Sequence, residues 1–286
     1  MGNNVCVENP APGSEQDAAP ASTRDEIRSE FPELFELMSE TRALGGKVMN
    51  SKPIVWDEAN LFSKITVVFV STNLHRLSSV ELLCSHGQAV DAVGLLRTMF
   101  EDLVDFKYMQ NDKTKAEDFA NYDSWLRLKL GRVIERQGGT TEENMKKIKA
   151  RNEELEAEWK KVKARYVYTG RDGKERVFSR WSGKGGVGEV AKKVGLESTH
   201  DYIWHSFSNF MHTSSLFSDQ HVLGRDGDNV VISMEGSRDM IEEVARTATS
   251  IVLDILAVVN EEYSLNFKTR IDELGKRLQK PSRNGV

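Results

Sequence analysis

Cysteine is nearly absent from this 286-residue chain. Its two cysteines are Cys6, in a segment of small residues and prolines, and Cys84, inside an apolar run. A disulfide framework is therefore excluded, and a reducing compartment fits. Cys84 reads as core filler rather than as a nucleophile. Long apolar runs are also lacking: nothing reaches the roughly 18 to 20 uninterrupted residues that span a bilayer. The best run, Ile65 to Val70, has Lys64 before it and Asn73 after. The start of the chain has neither the basic nor the apolar region of a signal peptide. The expectation is a cytoplasmic protein with no membrane partner. Positive charge is not in surplus. A net charge of −5 and a pI near 5.8 argue against a protein that coats nucleic acid with its whole surface, because neutralising phosphates needs excess Lys and Arg. A local basic face stays open.

Familiar catalytic signatures are missing as well. There is no G-x-S-x-G elbow, no C-x-x-C pair and no H-x-E with a downstream P-C-x-x-C, so hydrolase and deaminase readings lose their usual support. The run Trp181-Ser-Gly-Lys-Gly-Gly-Val-Gly-Glu189 looks superficially like a phosphate-cradling loop. The P-loop, however, needs G-x-x-x-x-G-K-[ST], and here Lys184 precedes the glycine pair with no Ser or Thr after it. We read it as a turn entering a short helix from Val187 to Gly195, with Ser182 or Lys184 lining the same cavity as His212.

What is present is helical patterning. Residues 1 to 23 hold Pro10, Pro12, Pro20 and almost no large apolar groups, and read as a disordered tail that cannot repay the entropy of ordering. Ser22 or Thr23 is the expected cap of a first helix that ends at Gly45-Gly46. From about Asp57 to Asn111, apolar residues recur at three and four positions and predict two long buried helices with a break near His86-Gly87. A third helix spans Ala116 to Arg136, stopped by Gly138-Gly139. Acids and bases alternate in blocks from Glu142 to Arg165, which predicts a solvated helix with a narrow apolar stripe. Its acids disfavour a nucleic-acid role, and a protein partner is the expected occupant of its surface. Two β-ribbons are expected near 166–180 and 222–233. The last long helix begins at Ser237 and runs to about Phe267, with a stripe wide enough to be central or to form the seam of a homodimer. The fold class is thus mainly α, a multi-helix bundle with one or two small β-ribbons. It is organised as a single domain over 24–275 with a basic flexible tail over 276–286.

Two polar groups stand out against this apolar background. Arg97 and Glu101 lie one helical turn apart and can pair, with Leu95, Leu96, Met99, Phe100, Leu103 and Val104 around them. Asp102 and Asp105 should face elsewhere. The second is Tyr202-Ile-Trp-His-Ser-Phe-Ser-Asn-Phe-Met-His212-Thr-Ser-Ser, where His205, Ser208 and His212 share a side of a helix, with Asn209 nearby. Histidine is the side chain best suited to move protons near neutrality. His205 and His212 are seven residues apart, which is wrong for the four-residue pair of a zinc-protease helix. A metal would have to borrow Glu101 or Asp105, so no metal and no cofactor are expected.

In this order Leu95-Leu-Arg97-Thr-Met-Phe-Glu101, then Trp181-Ser-Gly, Glu189-Val-Ala and Gly195-Leu, then Tyr202 leading into Ser208 and His212-Thr-Ser, the chain resembles the bacterial family known as domain of unknown function 5677, over roughly residues 60 to 260. The resemblance implies an all-helical fold whose polar site joins the Arg97/Glu101 helix to the Ser208/His212 helix. Some helical bundles of this general appearance are similar to the HEPN ribonucleases of toxin and phage-defence systems, but this chain departs from their pattern. Those use R-x4-6-H, and here no Arg precedes a His at that interval. Two expectations follow. In one, a defence or stress effector cleaves an RNA phosphodiester without metal: His212, aided by His205, shuttles protons, Arg97 steadies the anion and Glu101 orients Arg97 or a histidine, with Ser208, Asn209, Trp181 and Lys184 holding substrate. In the other, the cluster is a structural network in a non-enzymatic adaptor or ligand sensor.

Overall fold

The computed structural model describes residues 19–51, 60–183, 185–211, 222–226, 229–232, 238 and 240–280. The chain is mainly α-helical, and it clusters into two compact units. One is drawn from the residues up to Phe106 and from Ser198 onward, the other from Lys107–Glu197. No helix among the described residues is long and apolar enough to cross a membrane.

The first unit opens with α1 (Ala19–Glu30) and α2 (Pro32–Met49). The single helix expected up to Gly45-Gly46 is thus two helices, and α1 begins before Ser22 and Thr23. Pro32 explains the break: it has no N–H to donate and suits the first turn of a new helix. Gly45 does not end α2 because it is a packing position. A Cβ there would come within 2.4 Å of Leu74 on α3 (Leu61–Ser85), so the missing side chain lets the two helices approach closely. The Asn60 side chain caps α3 by accepting from the Ser63 amide at 3.1 Å. At its end Gly87 takes φ 72°, and the Leu83 carbonyl accepts from the amides of both His86 and Gln88. That break, placed where the sequence puts it, starts α4 (Ala89–Asn111). Glu81, buried on α3, ties three helices together through Arg28 of α1 at 3.3 Å and Arg42 of α2 at 2.7 Å. Close by, burial chiefly and then the Glu81 charge push the Cys84 thiol up to about 12, which leaves it an inert core residue.

Further along the same unit come α8 (Glu197–Met211), the ribbon of β3 (Val222–Asp226) and β4 (Asn229–Ile232), α9 (Ile241–Glu262) and α10 (Lys268–Leu278). β3 and β4 are antiparallel with an irregularity between Val222 and Gly224. Packed against α2, α3 and α10, α9 buries Ile241, Val244, Ala248, Ile251, Ile255 and Val258 on its expected stripe, and Val252, Leu256 and Val259 beside it. It is central, not peripheral. The long final helix expected to reach Phe267 stops at Glu262, since Ser264 adopts φ 50° and the Asn260 side chain takes the Phe267 amide at 2.9 Å. Ser237, its expected cap, lies outside the described residues. The expected basic tail is helical up to Leu278. Ile271 and Leu274 are buried, Arg277 pairs with Glu36 and Glu40 of α2, and Arg246 of α9 donates to the Leu278 carbonyl.

The second unit takes in the end of α4 and then α5 (Lys115–Gln137), α6 (Glu142–Val162), a 3-10 turn at Lys163–Arg165, β1 (Val167–Thr169) paired antiparallel with β2 (Glu175–Val177), and α7 (Gly186–Lys193). Gly138 and Gly139, both at positive φ, end α5. Thr141 caps α6. The two helices form a hairpin whose tightest point is Gly131, where a Cβ would lie 1.9 Å from the Asn152 carboxamide oxygen. Trp125 stacks on Trp159 and Trp159 on Tyr166, with centroids 5.3 and 5.5 Å apart. The Tyr166 and Tyr122 hydroxyls donate to the Asp118 and Phe178 carbonyls at 2.8 and 2.6 Å. Aromatic rings with satisfied polar ends thus supply this unit's core.

Candidate functional site

α4 is two-faced. Leu96, Met99, Phe100, Leu103 and Val104 are fully buried, while Arg97 and Glu101 emerge on the other side, their charged groups 3.7 Å apart. The side chains are 34% and 32% exposed, so the pair is open to solvent and not sealed in the core.

Across from them stands α8. Its Trp204 lies under Arg97, with the guanidinium carbon 4.1 Å from the ring centroid. An arginine cation is attracted to the electron-rich face of an indole and is only weakly hydrated, so it can stay there while keeping donors for an anion. His200, one turn earlier on α8, stacks on Trp204 with centroids 4.6 Å apart and planes 20° from parallel. Phe100 meets Trp204 edge-on at 6.3 Å, which fixes the indole from the buried side of α4. The His200 Nδ1 lies 3.1 Å from the Asp201 carboxylate. Arg97, Glu101, Trp204 and His200 therefore form one half-buried cluster joining α4 to α8.

A second polar group continues around α4 toward α3. Asp102 accepts from the buried Asn73 amide at 2.9 Å and is paired with Arg76. Burial, strengthened by the Glu101 charge, raises its carboxyl above the usual range even though Arg76 and Asn73 act the other way. Asp102 thus faces α3 while Arg97 faces α8, as their positions on the helix require. On α8 itself Tyr202 donates to Glu243 of α9. Burial, and then that bond, push the Tyr202 hydroxyl up to about 12.

The residues expected from the sequence are distributed as follows. His205 is on α8 with an exposed side chain, on the turn beside Trp204. Ser208 and Asn209 are within α8, but their side chains lie outside the described residues, as do His212 and Lys184. Trp181 belongs to the second unit, where it packs on Phe119 edge-on at 5.4 Å and on Tyr108 at 5.7 Å. Beside it the Ser182 hydroxyl is buried with no hydrogen-bond partner among the described residues. Among the described residues no three His, Cys, Asp or Glu are grouped to hold a metal ion. Sequence reasoning missed His200 and Trp204 as partners of Arg97. Their four-residue spacing was a usable signal, because it places two flat rings on one face.

Against known proteins, the chain matches the model of a family of unknown function (DUF5677) over residues 64–230. The chain belongs to this family. No curated protein and no solved structure matches it. The family span includes α4 and α8, so the Arg97–Glu101 pair and its Trp204 platform both lie in the part of the chain that defines the family. Chemically, the cluster can hold an anion on a positioned guanidinium, offer a carboxylate to orient it, and place an imidazole next to the same platform.

Proposed function

We propose that this member of the family is a bacterial defence or stress effector, acting in the cytoplasm, that binds an RNA phosphodiester at the α4–α8 face and cleaves it without metal. One observation carries the reading: Arg97, a third exposed, is held over Trp204 beside Glu101, with His200 stacked on the same indole. Arg97 would take a non-bridging phosphate oxygen and Glu101 would keep it oriented. A histidine would accept the proton of the 2′-hydroxyl as that oxygen attacks phosphorus, and a protonated histidine would return one to the departing 5′-oxygen as its bond to phosphorus breaks. His212 and His205 are the candidates that the sequence names, and the geometry adds His200. Purified protein incubated with total RNA, beside Arg97→Ala, His200→Ala and His212→Ala, tests it. Cleavage by the wild type with loss in Arg97→Ala and in at least one histidine variant is expected. Equal cleavage by all four, or none by any, ends the proposal.

A second reading is a ligand sensor without chemistry. It draws support from the same pair, since an arginine matched by Glu101 and seated on Trp204 is already satisfied as a structural element. Trp204→Ala would then lower the melting temperature, and the wild type would bind nucleotide without turning it over.

A further inference from the structure

α5 carries an apolar stripe that is covered at one end and bare in its middle. Phe119, Leu126, Leu130 and Val133 recur at helical spacing on one face. Phe119 at the start is covered by the edge of Trp181. Beyond it, Leu126 is 50% and Leu130 60% exposed, while the hairpin with α6 is made away from this face, through Gly131 against Asn152 and Trp125 against Trp159. Two large aliphatic side chains one turn apart, between a half-buried Phe119 and a half-buried Val133, are a place where a further element would gain by packing.

The charges beside the stripe say what kind of element. Lys129 and Arg136 flank it, and neither has an ion pair among the described residues, whereas Arg127 is matched by Asp123 and Arg132 by Glu156. We infer that the Leu126–Leu130 face of α5 docks a short amphipathic helix of a partner protein, with its apolar side on the leucines and its acidic rim against Lys129 and Arg136. Opposite charges at the rim of an apolar patch set orientation and choice of partner. A second copy of this chain suits the face poorly, because apposing two such faces would bring Lys129 and Arg136 against their own kind. The surface is distinct from the charged α6 face and independent of any chemistry at Arg97.

The full chain is titrated into two fluorescein-labelled helical peptides, one with leucines on one face and glutamates on the other, the second with lysines replacing the glutamates. The acidic peptide binds the wild type, and Leu126→Glu with Leu130→Glu weakens it by more than about tenfold. Both leucines are exposed, so circular dichroism of that variant should match the wild type. Lys129→Glu with Arg136→Glu reverses the preference in favour of the lysine peptide. Equal affinity for the two peptides, binding to neither, or indifference to the leucine substitutions overturns the inference. So does a wild-type dimer in sedimentation that Leu130→Glu dissociates, which would make the occupant a second copy, or displacement of the peptide by RNA, which would make it a nucleic-acid face.

Discussion

Arg97 is held by two groups at once, a carboxylate one turn away and an indole from another helix. The two contacts have different tolerances. A lysine keeps a positive charge for Glu101 but has no flat face for Trp204, so Arg97→Lys should cost stability on the order of 1 kcal/mol in urea unfolding. A cycle with Trp204→Ala should assign that loss to the pair. Additive costs would mean that ring and cation do not interact. Asp102 gives a second expectation. Its folded-state carboxyl is raised above the ordinary 3.8, so the native state holds its proton more tightly than the unfolded chain does. That contribution is present in full below 3.8 and is lost as pH rises through the raised value. Over that window Asp102→Asn should lose less stability than the wild type as pH rises, and parallel curves for the two proteins would reject the assignment. The part-buried Asp102 carboxyl has Arg76 as its paired guanidinium. Arg76→Ala should therefore destabilise more than removing an exposed ion pair, by about 2 kcal/mol or more.

At the scale of elements, the sequence was most legible where periodicity and punctuation agreed. The breaks at Gly87 and Gly138-Gly139 were readable because a left-handed residue is needed there and glycine supplies it. Gly45 misled for the opposite reason: its value is closeness to Leu74, which a one-dimensional pattern does not contain. The final helix was overread because Ser264 is not a residue type that announces a left-handed turn. At the site, Arg97 and Glu101 were visible as charges on an apolar helix. Trp204 was only half visible: its spacing from His200 puts two rings on one face, but a ring gives no sign of which cation will lie over it. Two substitutions test the elements. Asn60→Ala removes the cap that receives the Ser63 amide and should cost about 1 kcal/mol in denaturant unfolding. Gly131→Ala forces a methyl onto Asn152, and should cost about 1–3 kcal/mol. A neutral result would mean that the Asn152 side chain turns aside, or the two helices part, without penalty.

Across the whole molecule, the two compact units are built from different materials, an aliphatic core around α9 and a stack of rings around Trp159 and Tyr166. α9 is enclosed by α2, α3 and α10 and buries residues on nearly every turn from Ile241 to Val259. Its backbone hydrogens are therefore the molecule's slowest clock. In heavy water the amides of Val252 to Val259 should be the last to take up deuterium, since releasing them requires the first unit to open altogether. The amides of α6, solvated along most of its length, should have exchanged long before. Mass spectrometry of peptic fragments reads both times. If the α9 amides exchange as early as those of α6, the helix is not the keystone of its unit.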